Sequence, residues 1–182
     1  MNKRHSPTTP RLFVSLFENW RLSWIWLIVR IYVGYQWISA GLEKITDPSW
    51  VGADAGTALQ SFVSHAVTLT KGAHPAVQGW YAGFLQAVIL PIVNIWSYVV
   101  AFGETLVGIA LILGIFTGVA AFFGAFMNFN YLMAGSISSN PYLLILEFLL
   151  ILAWKIAGFL GLDLWLLYFQ NFLRKKGKIE KI

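Results

Sequence analysis

Six polar side chains interrupt the long apolar stretches of this chain, and their types are those needed for proton transfer or ligand binding. They are Arg30, Glu104, Asn128, Asn130, Glu147 and Lys155. An ionisable side chain near the centre of a bilayer costs roughly 2.5–3.5 kcal/mol when it faces lipid. We therefore expect these groups to face one another inside a helix bundle, and we expect a functional site in that interior.

Three of these side chains are expected to share one layer of the bundle. A rise of about 1.5 Å per residue places Arg30, Glu104 and Asn128 roughly 12–16 Å from the cytoplasmic ends of their helices. An arginine and a carboxylate can form a bidentate pair, which would make their burial tolerable. The pair would either fix which helices adjoin, or line a pocket in which Arg30 and Asn128 donate hydrogen bonds and Glu104 moves a proton. The two interpretations are compatible.

Glu147 is expected nearer the outer face, as a protonatable group without a full partner. Burial there favours the neutral acid, and the alternative is a structural hydrogen bond to Asn130 or to the backbone. Lys155 is expected to extend towards the cytoplasmic face. Trp37 is either a packing residue or a surface on which a quinone ring stacks.

The elements that position these groups follow from the hydropathy pattern. Apolar runs long enough to cross a bilayer predict four transmembrane helices over residues 22–45, 92–113, 116–134 and 142–162. Amphipathic patterns predict a helix over 11–21 and further helices in the connection after the first span, which could cover the outer mouth of the bundle. The predicted fold class is an all-α integral membrane protein, a four-transmembrane-helix bundle with amphipathic interfacial helices.

This pattern divides the chain into three parts. Residues 1–21 form a cytoplasmic tail and an interfacial helix, and residues 22–162 form the four-helix membrane domain. An extracytoplasmic helical loop, 46–91, lies within that domain, and residues 163–182 form an interfacial segment and a basic cytoplasmic tail.

Composition and charge agree with a multi-pass protein of the plasma membrane. Of the 182 residues, 58% are hydrophobic and 12% are charged, against about 25% charged in soluble domains. Basic residues cluster before the first predicted span and after the last, so the positive-inside rule places both termini in the cytoplasm. The basic ends are expected to contact anionic membrane lipid, and we expect no nucleic-acid binding.

The absence of cysteine excludes several kinds of redox centre from this chain. With no Cys, it holds no disulfide, no cysteine-ligated iron–sulfur cluster and no thiol relay. No histidine falls in a predicted span, so we expect no haem ligated by histidine within the membrane. His65 and His74 lie in the outer loop with no evident third ligand, so no metal site is expected.

Several of these residues fall in an order and spacing that resembles the DoxX/DoxD family. The first segment comprises Arg30-Ile31, Gly34, Trp37, Ala40-Gly41-Leu42, Lys44-Ile45, Pro48 and Trp50. The second comprises Gly103-Glu104, Gly108, Leu111-Ile112-Leu113-Gly114 and Thr117, followed by Asn128, Ala157-Gly158 and Gly161-Leu162-Asp163. Gly118, where the family would have a basic residue, and the deep Lys155 depart from this pattern.

The resemblance implies a four-helix membrane bundle and a link to quinone chemistry. Some relatives are the membrane subunit of thiosulfate:quinone oxidoreductase, others accompany quinone or oxidative-stress functions, and remote relatives are cargo receptors or assembly chaperones. The leading hypothesis is a quinone-interacting membrane subunit of a redox system, with thiosulfate or a related sulfur anion as the donor.

In that hypothesis the polar residues take particular roles. Arg30 binds an anion or a quinone carbonyl, Glu104 relays a proton with Glu147 as a second protonatable group, and Lys44 attracts an anionic substrate. Asn128 orients the ligand, and Trp37 and Asn130 complete the binding site. A partner redox protein or a homo-oligomer supplies the rest of the chemistry. The alternatives are a non-enzymatic chaperone or scaffold that assembles a redox or stress-response complex, and a small lipid or metabolite transporter.

Overall fold

The computed structural model describes residues 11–166 and 168–169, and helices dominate this part of the chain, in which no β-strand occurs. The α-helices, in chain order, are α1 (Arg11–Glu18), α2 (Ser23–Thr46), α3 (Thr57–Thr68), α4 (Gly79–Phe84), α5 (Val93–Leu113), α6 (Thr117–Met133), α7 (Asn140–Leu152) and α8 (Trp154–Ala157). Helical geometry returns over residues 162–166.

Four of these helices form a closed bundle. α2 packs against α5, α5 against α6, α6 against α7, and α7 against α2. Their inward sides form a central apolar core that includes Val33, Leu111, Ala121 and Leu150. Their outward sides expose large apolar side chains such as Ile28, Leu106, Phe126 and Ile145. An apolar exterior of this extent on a helical bundle is typical of a membrane protein.

The lengths of these helices differ. The segments Trp20–Thr46, with 27 residues, and Gly79–Leu113, with 35, are each long and apolar enough to cross a membrane. α6 has 17 residues and α7 has 13, so at about 1.5 Å per residue they measure roughly 26 and 20 Å against a core of about 30 Å. Within the described residues, the first and second of the four predicted spans therefore belong to helices that are long enough to cross a membrane.

The prediction of one uninterrupted helix over 142–162 is wrong. α7 ends at Leu152 and α8 begins at Trp154, because Ala153 leaves helical geometry at φ −86° and ψ 12°. Gly158 and Gly161 follow α8 and let the chain turn back on the bundle. A Cβ at Gly158 would overlap the side chain of Asp163, and a Cβ at Gly161 would lie 2.9 Å from Gly114 Cα.

α2 and α5 run antiparallel with their backbones almost in contact. Gly41 of α2 lies against Thr105, and Gly108 of α5 lies against Ile38 and Gly34. A Cβ at Gly108 would lie 2.8 Å from Ile38 Cα. Small residues allow such close approach of helices in membranes, and the contact fixes the register of the pair. We call the end of the bundle where α2 finishes the Lys44 end, and the end where α5 finishes the Gly114 end.

The Gly114 end is closed by a contact that joins distant parts of the chain. Gly114 follows the end of α5 with φ 66°, and Phe116 precedes α6 with φ 48°. The Asp163 carboxylate accepts hydrogen bonds from the amides of Phe116, at 2.6 Å, and Thr117, at 3.0 Å. Asp163 thus caps α6 from 46 residues further along the chain, where a carboxylate also interacts favourably with the helix dipole.

The connection between α2 and α5 folds as a second apolar cluster at the Lys44 end. Leu59, Val63 and Ala66 of α3 are buried with Val77, Tyr81 and Leu85 of the following segment. The segment α4 continues through a π-helical turn (Leu85–Ile89) and a 3-10 turn (Leu90–Ile92) into α5. Pro91 lacks an amide donor, which accounts for the departure from α-helical geometry at this point. α3 thereby covers one side of the bundle mouth.

The contact between α2 and α5 yields a stability prediction. Gly108→Ala forces a methyl group against the α2 backbone and is expected to lower stability by roughly 1–3 kcal/mol, the usual cost of overpacking. The measurement is thermal unfolding of the purified protein in detergent. Gly103→Ala is the matched control in the same helix, because its Cβ would meet nothing nearer than Met127 Sδ at 3.7 Å. Equal unfolding temperatures for the two variants would show that the glycine contact does not hold the pair.

Candidate functional site

A polar cavity opens at the Lys44 end between α2, α3, α5, α6 and the connection from α6 to α7. Its volume is about 430 Å³. The side chains with chemical interest that line it are Trp37, Glu43, Lys44, Trp50, Glu104, Asn128 and Tyr131. We use the name polar cavity for this space.

The first charged group of the polar cavity is built around Glu104. This residue is 1% exposed, and its carboxylate interacts through both oxygens. Lys44 Nζ lies 2.7 Å from Oε2, and the Tyr131 hydroxyl donates to Oε1 at 2.5 Å. Lys44 also lies over the ring of Trp50, with Nζ 5.2 Å from the ring centroid. A carboxylate, an ammonium and a phenol therefore meet in one wall, which is an arrangement able to exchange protons with a ligand.

The second carboxylate lies behind the wall of the cavity. Glu147 of α7 is fully buried, and it accepts hydrogen bonds from Trp37 Nε1 at 2.5 Å and from Asn128 Nδ2 at 2.7 Å. Trp37 and Asn128 line the cavity, whereas Glu147 does not. Within the described part of the chain no cation pairs with Glu147. A carboxyl group held by two neutral donors in an apolar core is suited to change its protonation state.

Close packing holds this second group in place. A Cβ at Gly124 of α6 would lie 2.6 Å from Glu147 Oε1 and 3.0 Å from Trp37 Nε1. The missing side chain at Gly124 therefore provides the space in which the carboxyl group and the indole meet.

Aromatic rings form the apolar walls of the polar cavity. The ring of Tyr131 has its centroid 6.4 Å from that of Trp37 and 6.2 Å from that of Phe62. Phe62 and Leu59 belong to α3 and line the cavity, so the helical connection covers the site from outside the bundle. Flat apolar surfaces beside hydrogen-bonding groups are typical of small-molecule sites.

Arg30 lies at the opposite end of the bundle, and the predicted Arg30–Glu104 pair is wrong. Its side chain is 1% exposed, and Nη2 donates to the carbonyl oxygen of Leu160 at 2.9 Å. Within the described residues, Nε and Nη1 have no hydrogen-bond partner. Glycines surround the guanidinium, because a Cβ at Gly114 would overlap Nη1.

The register of α2 and α5 explains this error. Arg30 lies beside Gly114, so the rise between residues 104 and 114 places Glu104 about 15 Å further along α5. The predicted layer of Arg30, Glu104 and Asn128 assumed that the helices end at one level. In the structure seven residues of α2, starting at Ser23, precede Arg30. Since Arg30 lies beside Gly114, where α5 ends, these residues extend beyond the end of α5.

The structure also gives the surroundings of Asn130 and Lys155. Asn130 does not line the polar cavity: its Nδ2 donates to the carbonyl oxygen of Phe126 at 2.7 Å, and its Oδ1 accepts from Tyr81 at 3.0 Å. The amide that contacts Glu147 belongs to Asn128, so the alternative in which Asn130 bonds to Glu147 does not hold. Lys155 is exposed and pairs with Glu18 of α1 at 3.2 Å.

Sequence reasoning missed Tyr131 as a member of the site. A signal for it was present, because Tyr131 follows Asn128 by three residues and such positions share one face of a helix. The contact of Trp50 with Lys44 was also missed, because it depends on the fold of the connection after α2.

The structure contains a larger groove at the Gly114 end, with a volume of about 690 Å³. Its lining is mostly apolar, and its charged groups are already engaged: Lys155 pairs with Glu18, and Asp163 caps α6. No group of three or more His, Asp or Glu side chains suited to hold a metal occurs among the described residues. The polar cavity is therefore the candidate site, because a carboxylate, an ammonium, a phenol and an amide line it together.

The Lys44–Glu104 pair leads to a prediction on stability. Lys44→Met leaves a buried carboxylate without its cation, and the loss is expected to approach the roughly 3–5 kcal/mol typical of breaking a buried pair. The Lys44 side chain is 21% exposed, so the loss falls at the lower end. The double variant Lys44→Met/Glu104→Gln is expected to recover most of it, because no charge is then left unpaired. Thermal unfolding in detergent measures all three proteins.

Lys155→Met is the matched control for this prediction. Both side chains of the Lys155–Glu18 pair are exposed, at 55% and 45%, and exposed pairs contribute about 0–1 kcal/mol. A loss for Lys155→Met as large as that for Lys44→Met would contradict the importance of the buried pair.

The comparisons with known proteins agree with the helical membrane architecture. The family model described as DoxX matches residues 25–135, from the first turn of α2 to just past the end of α6, and this range includes Lys44, Glu104 and Asn128 of the polar cavity. No curated protein and no solved structure shows a significant match. The matched region covers more than half of the chain, and the protein is a member of the DoxX family of membrane proteins.

Proposed function

We propose that this protein is a quinone-interacting membrane subunit of a redox system and that the quinone head group occupies the polar cavity. The observation that carries the proposal is the pair of buried carboxylates, Glu104 and Glu147, at an aromatic-walled cavity of about 430 Å³. In this proposal the bundle crosses the plasma membrane four times, with both termini in the cytoplasm.

The chemistry of a quinone fits the groups that line the cavity. Its head group is a flat ring with carbonyl oxygens that accept hydrogen bonds, and the rings of Trp37, Trp50 and Tyr131 offer surfaces for it. Lys44 has three N–H donors, of which one serves Glu104, so the others are free for a ligand carbonyl. These groups would hold the ring and polarise its oxygen.

Reduction of a quinone consumes protons as well as electrons, and the groups around Glu104 would supply them. Lys44 and Tyr131 both donate to Glu104 at the cavity wall, so either can pass a proton to the ligand while Glu104 accepts and relays the replacement. A positioned acid or base contributes typically 10²–10⁴-fold to a rate. Arg30 lies outside the cavity, so the proposal gives it no contact with the ligand.

The electrons must come from a donor or a partner, because a chain without cysteine has no thiol that could supply them. Thiosulfate or a related sulfur anion is the donor class we favour, by the resemblance to thiosulfate:quinone oxidoreductase subunits. Two thiosulfate ions that join through a new S–S bond release two electrons, and the quinone takes up these electrons with two protons. Lys44 would attract the anion to the mouth of the cavity, and a partner redox protein or a second copy of the chain would complete the path.

Organic extracts of the purified protein provide a direct test of the ligand. Mass spectrometry is expected to detect a quinone at about one molecule per chain in the wild type and little in Lys44→Met/Glu104→Gln, because that variant removes the cavity's cation and its carboxylate together. Lys155→Met serves as the control that retains the quinone.

Each other result of the extraction has a clear meaning. A quinone retained equally by all three proteins would place its binding site outside the polar cavity. A wild-type protein without quinone would favour the alternative function, a non-enzymatic chaperone or scaffold for a redox complex, which requires no bound small molecule.

Turnover in membranes tests the role of Glu104. Thiosulfate-dependent quinone reduction is expected to fall by about 10²-fold or more in Glu104→Gln, because the amide cannot transfer the proton. Glu18→Gln, which alters an exposed carboxylate remote from the cavity, is expected to leave the rate unchanged at equal expression. Rates that are equal in Glu104→Gln and wild type would remove Glu104 from the reaction.

A further inference from the structure

One acceptor in the wall of the polar cavity has no partner. Asn128 is fully buried and lines the cavity, and its Oδ1 makes no hydrogen bond within the described residues. Buried polar atoms in folded proteins are nearly always hydrogen-bonded, because an unpaired one loses its hydration without compensation. A carbonyl oxygen in this position calls for a ligand that donates a hydrogen bond.

The orientation of the Asn128 amide depends on a chain of hydrogen bonds with a fixed direction. The indole of Trp37 can only donate, and it donates to Glu147 Oε1. Any proton carried by Glu147 therefore lies on Oε2, the oxygen that faces Asn128. An ionised Glu147 accepts from Asn128 Nδ2 and leaves Oδ1 free, whereas a neutral Glu147 donates to Oδ1 and leaves Nδ2 free.

We infer that Asn128 selects the redox state of the ligand and that the protonation state of Glu147 determines its choice. With Glu147 ionised, the free Oδ1 accepts a hydrogen bond from a hydroxyl of a hydroquinone. With Glu147 neutral, the amide turns over and the free Nδ2 donates to a carbonyl of a quinone. This inference rests on the proposed function and adds to it the form of the ligand that each state of the site binds.

The surroundings leave this pair separate from the other titratable groups. On the cavity wall Lys44 and Tyr131 each donate to Glu104, and Glu43 at the rim is exposed. Within the described residues none of these side chains hydrogen-bonds to Glu147, whose partners are Trp37 and Asn128. Turning the Asn128 amide over exchanges two atoms of similar size, so it requires no other movement in the packed core.

Glu147→Gln reproduces the neutral state permanently. The indole of Trp37 must donate to the glutamine oxygen, so the glutamine nitrogen faces Asn128 and the Asn128 oxygen turns towards it. Asn128 Nδ2 then faces the cavity at every pH. Glu147 acts on the ligand through Asn128 and is therefore a positioning residue.

The test compares the affinities of both redox states of one ligand. A short-chain benzoquinone and a short-chain naphthoquinone, each with its hydroquinone, are titrated anaerobically into the full-length protein in detergent, from neutral to mildly alkaline pH. The wild type is expected to bind the hydroquinone increasingly better than the quinone as pH rises. Glu147→Gln is expected to prefer the quinone at all pH values, and its ratio of the two dissociation constants differs from that of wild type at alkaline pH by roughly tenfold, the effect of one buried hydrogen bond.

Two further variants show whether the effect passes through Asn128. Asn128→Leu removes both amide atoms, so adding Glu147→Gln to it is expected to leave the ratio unchanged. Asn130→Ala removes the neighbouring amide, which lies outside the cavity, and is expected to behave as wild type.

The possible failures can be told apart. An equal ratio in wild type and Glu147→Gln, or a Glu147→Gln effect that persists in Asn128→Leu, would overturn the inference while quinone binding stands. Failure of the wild type to bind either form of both ligands would overturn the proposed function, and the inference with it.

Discussion

The contact between α2 and α5 determines where every polar group of the bundle lies. Gly41 against Thr105, and Gly108 against Ile38, leave no space for side chains between the two backbones, so one register is compatible with the packing. That register brings Lys44 to Glu104 and leaves Arg30 beside Gly114. Backbone packing thus places the buried Arg30 and the buried Glu104 at opposite ends of the bundle.

The two buried carboxylates are compensated in different ways, and this difference is the basis of the proposed chemistry. Glu104 has a cation and a phenol, so its charge is balanced while Lys44 remains partly open to the cavity. Glu147 has two neutral donors and lies one side chain behind the wall. A charge in an apolar core is costly unless it is paired, so the unpaired site is the one whose charge state can respond to a ligand. Glu104 is positioned to contact the ligand, and Glu147 is positioned to influence the ligand through the amide of Asn128.

Much of the fold could be predicted from the sequence, because apolar runs, glycines and prolines act locally. The bounds of α2, α5 and α6 agree with the predicted spans to within a residue or two. The break between α7 and α8 could not be predicted, since the turn at Ala153 carries no glycine or proline of its own. Membership in the DoxX family was also evident from the spacing of residues such as Arg30, Trp37 and Glu104, and the family match confirms it.

The partners within the site were harder to predict than its members. Glu104, Glu147, Trp37, Lys44 and Asn128 all lie in or directly behind the polar cavity, because polar residues in an apolar helix have few other places to go. Which of these residues pair depends on the register of the helices and on how far each helix extends beyond its neighbour. A depth that is counted from the end of each helix gives neither of these quantities. The same limit hid the true environment of Arg30, which lies beside Leu160.

The capping of α6 by Asp163 has a consequence for the order in which the chain can be completed. The first amides of α6 receive their acceptor from a residue that follows α8, so the turn between α5 and α6 remains unfinished while the ribosome has yet to deliver residue 163. Chains grow from the N-terminus at about 5–20 residues per second, which leaves this turn open for an interval of seconds during synthesis. The helical segment that carries Asp163 therefore completes the turn between α5 and α6, and the newly inserted bundle acquires its final geometry only when this contact forms.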